Sequence, residues 1–242
     1  GDLEIVKALL DAGADLRYVR KGGFDAMMDA TYASPSPRGG EDSGSQARFR
    51  NLLDFLLSKG VPVTGKTEKG RTALMLLSNG PALDAMKQLV RAGADEAPLL
   101  WTPLHKAVAY GTEGDVTARL QARDGVDPKD HDGRTPLVLA VELGELEKAK
   151  VLAKHGADLK ARWREKFNLL DLAISRRWPA LVEWLAAEGA DVNLEGEYGS
   201  TPLTSAVMNR SPELVKILLA AGADVHKAGK HGAAPCLHFS CG

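Results

Sequence analysis

The sequence predicts an all-α solenoid built from helix-turn-helix units with short β-hairpin loops between them. The first observation is a glycine that closes an apolar run, usually followed by Ala-Asp. It recurs at Gly13, Gly60, Gly93, Gly125, Gly156, Gly189 and Gly222. The second observation is the interval between neighbours, which is 47, 33, 32, 31, 33 and 33 residues. A period near 33 residues indicates a stack of similar units rather than one globular core.

The period divides the chain into about six full repeats with a partial repeat at each end, in one array over residues 1–242. The approximate boundaries are 1–16, 17–63, 64–95, 96–127, 128–160, 161–193, 194–226 and 227–242. Both ends fall inside a unit, whereas a stack needs polar caps over its outermost apolar faces. We therefore expect these repeats to belong to a longer array.

The segment Asp130–Ala161 shows how one unit is built. A turn at Asp132-Gly133 precedes Thr135-Pro136, which is a favoured start for a helix because threonine caps it and proline fits its first turn. Gly144 ends this first helix, and a second apolar helix runs to Gly156. By the same pattern we expect first helices near 25–33, 72–79, 102–110, 135–143, 168–176 and 201–209. Second helices are expected near 3–11, 50–58, 83–91, 115–123, 145–154, 179–187 and 212–220.

The 47-residue interval contains 14 residues more than one period, and they fall at 34–47, between the helices of the second unit. Proline, glycine and serine dominate this stretch, which predicts a mobile loop. It is either a tolerated surface insertion or a contact arm beside a binding surface.

The predicted first helices open on a recurring motif of the form Gly-x-Thr-Pro-Leu-His-x-Ala, whole or in part. It reads Trp101-Thr102-Pro103-Leu104-His105-Lys106-Ala107, Gly133-Arg134-Thr135-Pro136-Leu137 and Gly199-Ser200-Thr201-Pro202-Leu203. Degraded copies begin at Gly23, Gly70 and Asn168. In phase with the period, this motif resembles the ankyrin repeat over nearly the whole chain.

The resemblance also implies a place for a partner. In ankyrin arrays the hairpin tips and the exposed side of the first helix form a concave groove that contacts proteins. Aromatic and arginine residues recur at these positions, and that composition is typical of binding hot spots. The predicted partner-binding residues are Phe24, Tyr32, Arg71, Trp101, Tyr110, Arg134, Leu143, Phe167, Arg176 and Tyr198. The alternative is that Trp101 and Phe167 only pack against the adjacent hairpin. Lys148 and Glu183 are expected on the opposite, outer helix face.

Composition excludes several other classes of function. The net charge is −1, which does not favour wrapping nucleic acid. No apolar stretch is long enough to predict a membrane span. The two cysteines, Cys236 and Cys241, do not form the framework of a disulfide-stapled secreted domain, so we expect a reducing, cytoplasmic setting. We expect a monomer in isolation.

Candidate chemistry follows the repeat instead of breaking it. The resemblance implies that His105, in the histidine slot of the motif, ties neighbouring repeats together by hydrogen bonds. Acidic residues such as Asp158 recur once per repeat and belong to the loops. The spacing of Cys236, His238 and Cys241 lacks the paired ligands of a zinc site. We therefore predict no catalytic, metal-binding or cofactor-binding residue.

The predicted function is protein–protein recognition by a rigid concave surface. The alanine-rich, irregular repeats resemble bacterial ankyrin arrays, which by analogy suggests an effector or a toxin-neutralising partner. The alternative is a targeting or regulatory domain of a larger enzyme whose catalytic part lies outside this chain.

Overall fold

A computed structural model describes residues 3–32, 43–78, 82–122, 125–164, 167–196 and 200–227. The chain divides into two compact units, Gly1–Leu100 and Trp101–Gly242. Within each unit, short helices pack in consecutive pairs, and helices of successive pairs contact one another. The prediction of an all-α repeat solenoid is confirmed at this level.

The first unit contains five α-helices among its described residues. They are α1 (Leu3–Asp11), α2 (Ala26–Thr31), α3 (Ser43–Ser58), α4 (Ala73–Leu77) and α5 (Leu83–Arg91). A short 3₁₀ turn, Ala97–Leu99, follows α5. Helix α2 packs against α3 and α4, and α3 packs against both α1 and α5.

The described part of the second unit contains eight α-helices and one two-stranded ribbon. The helices are α6 (Pro103–Tyr110), α7 (Glu113–Gln121), α8 (Pro136–Leu143), α9 (Leu146–Lys154), α10 (Leu169–Ser175), α11 (Pro179–Ala187), α12 (Pro202–Met208) and α13 (Pro212–Ala220). The antiparallel strands are β1 (Arg162–Trp163) and β2 (Phe167–Asn168). Helix α8 lies between α6 and α10, which explains why all its residues from Pro136 to Glu142 are buried.

Each first helix begins at a capping side chain. Asp25, Thr72, Thr102, Thr135, Asn168 and Thr201 all adopt extended backbone and accept a hydrogen bond from the amide three residues on. These caps satisfy amides that have no partner within the helix. The predicted role of the motif threonine as a helix cap is confirmed.

The recurring Gly-Ala-Asp segment closes each second helix. All seven recurring glycines have positive φ, between 67° and 94°, a conformation that other residues adopt only at a cost. Five of the following aspartates accept a hydrogen bond from the amide two residues on, at 2.8–2.9 Å; they are Asp15, Asp95, Asp158, Asp191 and Asp224. The prediction that these acidic residues belong to the loops is confirmed.

One predicted boundary is wrong. Helix α3 begins at Ser43 and not near residue 50, so residues 43–47 of the predicted loop are helical. Gln46, Ala47 and Arg48 are good helix formers, and they lead directly into a buried stripe that begins at Phe49. The remainder of the predicted loop, 34–42, lies outside the described residues.

Candidate protein-interaction surface

In the first unit, the hairpin between α1 and α2 carries a cluster of aromatic and charged side chains. The Arg20 guanidinium lies 4.2 Å from the centre of the Phe24 ring and donates to both carboxylate oxygens of Asp29, at 2.9 and 3.0 Å. The Phe24 and Tyr32 rings lie 6.0 Å apart. Tyr32 is 65% exposed, and Tyr18 on the same hairpin is 71% exposed. Predicted residues Phe24 and Tyr32 therefore meet at one surface, to which the structure adds Arg20.

The next hairpin of this unit, Thr67–Arg71, packs directly against the first. The Glu68 amide donates to the Gly22 carbonyl at 2.9 Å, and the Gly22 amide donates to the Glu68 side chain at 3.2 Å. Both hairpins contain the same kind of turn, in which the amide of the fourth residue donates to the carbonyl of the first. The Gly23 amide donates to the Arg20 carbonyl in one hairpin, and the Gly70 amide donates to the Thr67 carbonyl in the other. Arg71 ends its turn with an exposed side chain, as the prediction requires.

In the second unit, Trp101 and Tyr110 lie together at one end of a cleft of about 750 Å³ beside α6 and α7. Their rings are 5.6 Å apart. Trp101 is only 8% exposed, and its indole N–H donates to Asp130 Oδ2 at 3.1 Å. Trp101 is therefore largely a packing residue, as the alternative interpretation held, while the exposed Lys106 shares the cleft.

Arg134 does not lie on the surface where the sequence placed it. Its side chain is fully buried and pairs with two buried carboxylates, Asp130 at 2.8 Å and Glu142 at 2.9 Å. Burial alone would lower the pKa of Arg134, but the charges of Glu142 and Asp130 outweigh it and raise that pKa. The guanidinium therefore holds the repeat together and is removed from the predicted partner-binding set.

Arg176 extends the same ion-pair network into the following repeat. Its guanidinium donates to the second oxygen of Glu142 at 2.6 Å, and only 9% of its side chain is exposed. Leu143, beside Glu142, is half-buried. Arg176 is therefore also a structural residue, because its charge is neutralised by Glu142 within the unit.

The β1–β2 ribbon presents a second aromatic cluster. Phe167 pairs with Trp163 across the strands, and their rings lie 5.9 Å apart. The indole N–H of Trp163 donates to Asp132 at 3.1 Å, and Arg164 both stacks on Trp163 at 4.6 Å and pairs with Asp132 at 3.0 Å. Phe167 was predicted from the sequence, whereas Trp163 and Arg164 were not. Their position next to Arg162, just after the Gly-Ala-Asp segment at 156–158, is the sequence signal that could have found them.

His105 is a structural residue, as the resemblance implied. It is fully buried, and its Nδ1 accepts from the Thr102 amide at 3.3 Å. The proton therefore lies on Nε2, which donates to the Arg134 carbonyl of the next repeat at 3.0 Å. Burial lowers the pKa of His105, in keeping with a neutral imidazole.

In the repeat around α10, Asp171 occupies the slot that His105 has in its own repeat. Burial raises the pKa of Asp171 to about 6, against smaller lowering effects from the Asn168 main chain and the charge of Arg162. A perturbed carboxyl can signal chemistry, but the charged group that acts on the pKa of Asp171 is Arg162, and a guanidinium does not exchange its proton near neutral pH.

Lys148 also departs from its expected place. It is 8% exposed, and its ammonium donates to the Val108 carbonyl of the preceding repeat at 2.9 Å. The outer-face prediction is therefore wrong for Lys148, while Glu183 on α11 is exposed as expected.

Three further predictions concern residues outside the described part of the chain, metal binding and membrane spans. Tyr198, Cys236, His238 and Cys241 lie outside the described residues. In the part of the chain that is described, no group of three or more His, Cys, Asp or Glu side chains could hold a metal ion. Among the described helices, none has both the length and the apolar character needed to cross a membrane.

The fold is that of a repeat protein built from pairs of short helices. Its first helices have capping side chains, and hydrogen bonds join neighbouring repeats. The chain belongs to the ankyrin repeat family: the family described as "Ankyrin repeats (3 copies)" matches residues 77–163 and 159–229. This family membership supports a module for protein–protein interaction.

Curated relatives that share these repeats include Notch proteins. Neurogenic locus notch homolog protein 1 of Homo sapiens is 29% identical over 167 residues, which is 63% of this chain and 6% of the relative. The protein of the same name from Xenopus laevis is 28% identical over 166 residues, again 6% of its length. Neurogenic locus Notch protein of Drosophila melanogaster is 35% identical over 130 residues, 52% of this chain and 4% of the relative. The chain thus spans a small fraction of each relative.

Proposed function

We propose that this chain binds a protein partner through its hairpin tips and the exposed sides of its first helices. The observation that carries the proposal is the cluster of Arg20, Phe24 and Tyr32, in which Tyr32 is 65% exposed. Tyr18, on the hairpin that leads to Arg20, is 71% exposed. Large aromatic side chains and arginine dominate binding hot spots, because they bury much area at low cost in conformational entropy. A folded core gains nothing from leaving these two tyrosines in water.

Hydrogen bonds between repeats support the proposal for the second unit, because they hold its part of the surface in one conformation. In the second unit, His105 donates to the Arg134 carbonyl and Lys148 donates to the Val108 carbonyl. Asn209 donates to the Ile174 carbonyl at 3.1 Å. A preorganised surface loses little entropy when a partner docks, so more of the contact energy appears as affinity.

The structure changes which of the predicted residues we assign to this surface. Phe24, Tyr32, Arg71, Tyr110, Leu143 and Phe167 are retained, since each keeps at least part of its side chain accessible. Tyr18, Trp163 and Arg164 are added, and Arg134 and Arg176 are removed. Trp101 is kept only as the residue that supports Tyr110.

The test is capture of a protein partner by the purified chain, with the contact residues located by cross-linking mass spectrometry. The double variant Tyr18→Ala, Tyr32→Ala should weaken a captured partner by roughly thirty- to a thousandfold, the loss that hot-spot truncation typically causes. Glu183→Ala, on the outer face of α11, is the matched control and should leave capture unchanged. Circular dichroism would establish that all variants remain folded.

If Glu183→Ala weakened capture while the tyrosine pair had no effect, the binding surface would lie on the outer face instead. The narrower predictions stand as proposals: an effector or toxin-neutralising role, a targeting role beside an enzyme, a monomeric state and a cytoplasmic setting. We also propose that the chain has no catalytic activity and needs no cofactor. The identity of the captured protein would decide between the narrower roles.

A further inference from the structure

The two packed hairpins of the first unit carry an excess of positive charge. Besides Arg20, which pairs with Asp29, four exposed cations lie in or next to the two turns: Lys21, Lys66, Lys69 and Arg71. We call this set the basic tip surface. None of the four forms an ion pair with another residue in the part of the chain that the structure describes. Their charges are therefore available to a binding partner.

The carboxylates of the same hairpins form hydrogen bonds or ion pairs within the chain. Asp25 caps α2 by accepting from the Met28 amide at 2.8 Å, and its side chain packs against Gly65 so closely that a Cβ there would collide with it. Glu68 accepts from the Gly22 amide, and Asp29 pairs with Arg20. Arg20 cancels the charge of Asp29, whereas Asp25 and Glu68 each bind a main-chain amide and keep their charge. The four cations therefore outnumber the two carboxylates that lack an ion pair.

The second unit shows how differently the same turn can be built. Arg134 follows its turn glycine as Arg71 does, yet Arg134 is buried between Asp130 and Glu142. Arg164 on the neighbouring ribbon is paired with Asp132. At the position of Asp130, the first unit has Thr67, a neutral residue whose hydroxyl accepts from the Arg71 amide at 3.0 Å. Arg71 is exposed because the residue at the position of Asp130 has no carboxylate with which the guanidinium could form a buried ion pair.

We propose that the basic tip surface binds a short acidic segment of the protein partner, with an apolar side chain of that segment seated against Phe24 and Tyr32. This inference rests on the proposed function and specifies the chemistry of the partner. Unpaired lysines beside exposed aromatics match carboxylates beside an apolar anchor, and complementary charge both steers the encounter and fixes its register.

A nucleic acid is the less suitable occupant of this surface. Strong phosphate binding draws on many cations along a continuous stripe. Here the excess is confined to two adjacent hairpins, the arginines of the second unit's turns are paired, and the net charge of the whole chain is −1. Four cations over two hairpins match the length of a short peptide.

The experiment measures binding of a fluorescein-labelled peptide of Glu-Glu-Leu triplets to the purified full chain by fluorescence anisotropy. A Lys-Lys-Leu peptide and a single-stranded oligonucleotide of equal charge serve as the comparison probes. The test variant is Lys21→Glu, Lys66→Glu, Lys69→Glu. The matched control reverses three exposed lysines of the second unit, Lys154→Glu, Lys160→Glu and Lys216→Glu, so the change in net charge is the same.

We expect the acidic peptide to bind the unaltered chain more tightly than either comparison probe, and more weakly as salt is raised. The tip variant should weaken this binding by about tenfold or more, and the control by no more than about twofold. Equal loss in the two variants, no peptide binding, or tighter binding of the oligonucleotide would overturn the inference. If that happened while the Tyr18 and Tyr32 variant still lost its protein partner, the proposed function would stand and only the acidic chemistry would fall.

Discussion

At the scale of single residues, the buried polar groups of the second unit decide stability rather than binding. Asp130, Arg134, Glu142 and Arg176 form a network in which each charge has an opposite charge within about 3 Å. Burial alone would raise the pKa of Asp130, but the charge of Arg134 and its hydrogen bonds outweigh it and lower that pKa. Such a network is costly to break because the remaining partner is left buried and unpaired.

His105→Ala should destabilise the second unit by about 1–3 kcal/mol, because the Arg134 carbonyl and the Thr102 amide lose a buried partner. The measurement is urea unfolding at neutral pH, where the imidazole is neutral. The folded pKa of His105 lies below the ordinary value of 6.5, so the unfolded chain binds the proton more readily. The stabilisation that His105 provides should therefore shrink as the pH falls below about 6.5, and an unchanged difference at low pH would argue against a buried neutral imidazole.

Asp171→Asn should have the opposite pH dependence. The folded pKa of Asp171 is raised to about 6 from 3.8, so the folded state favours the protonated carboxyl. Its ionisation lowers stability as the pH rises from about 4 to 6, and the cost at pH 7 is roughly 2–3 kcal/mol. The variant should therefore be more stable than the unaltered chain near pH 7 and close to it near pH 4. Denaturant unfolding at both pH values measures this, and a gain that did not depend on pH would refute the assignment.

At the scale of single elements, the helix ends are set by capping side chains and by residues with positive φ. Thr135 begins α8, and Gly144 ends it with φ 82° and the Trp178 ring packed against its Cα. In the next two repeats the equivalent position holds Arg177 and Arg210, with φ 57° and 53°. A residue with a Cβ is strained in this conformation, so these two helix ends are less stable than that of α8.

Arg210→Gly should stabilise the folded chain by about 0.5–1 kcal/mol. Glycine removes the strain at positive φ, and this gain exceeds the loss that comes from the greater conformational entropy of glycine in the unfolded chain. Arg210 is exposed and its guanidinium has no partner among the described residues, so nothing else is lost. Thermal unfolding followed by circular dichroism measures the shift. Arg177→Gly is the control, because the Arg177 guanidinium donates to the Asn209 carbonyl and its removal offsets the gain. Equal stabilisation by both changes would show that this hydrogen bond contributes nothing.

At the scale of the whole molecule, stability in a repeat array is a sum of terms from each repeat and from its neighbours. Helix α1 has no buried residue, and Ile5 and Leu9 are more than half exposed. Helix α8, by contrast, is covered on both sides by α6 and α10. Local opening should therefore differ strongly between these helices.

Hydrogen exchange measured by mass spectrometry should be fastest in α1 and slowest in α8 and α10. An amide in a frayed helix exchanges at close to the rate of an unfolded chain. A core amide exchanges only when the unit opens, so its exchange is slower by roughly a thousandfold or more. Equal protection of α1 and α8 would contradict this and would mean that another chain covers α1 in solution.

The repeat sequence by itself determined the phase of the helices. Four second helices, α1, α5, α11 and α13, have the predicted bounds, because a closing glycine and an apolar period are local signals within one turn or two of the residues they organise. The threonine caps and the loop aspartates were predicted for the same reason. The start of α3 was missed because a composition rich in serine and glycine concealed the helix formers next to Phe49.

Only the tertiary structure decided which side chains face water. Arg71 and Arg134 stand in the same Gly-Arg-Thr triplet, and one is exposed while the other is fully buried. The difference comes from Asp130, from Glu142 one helix away, and from Arg176 in the following repeat, which meet only when the repeats stack. Local sequence sets the path of the backbone, but the pairing of charges depends on contacts between distant residues. The position of the candidate surface therefore stays a prediction, while the structure shows that Arg134 and Arg176, two of its predicted residues, are buried in ion pairs.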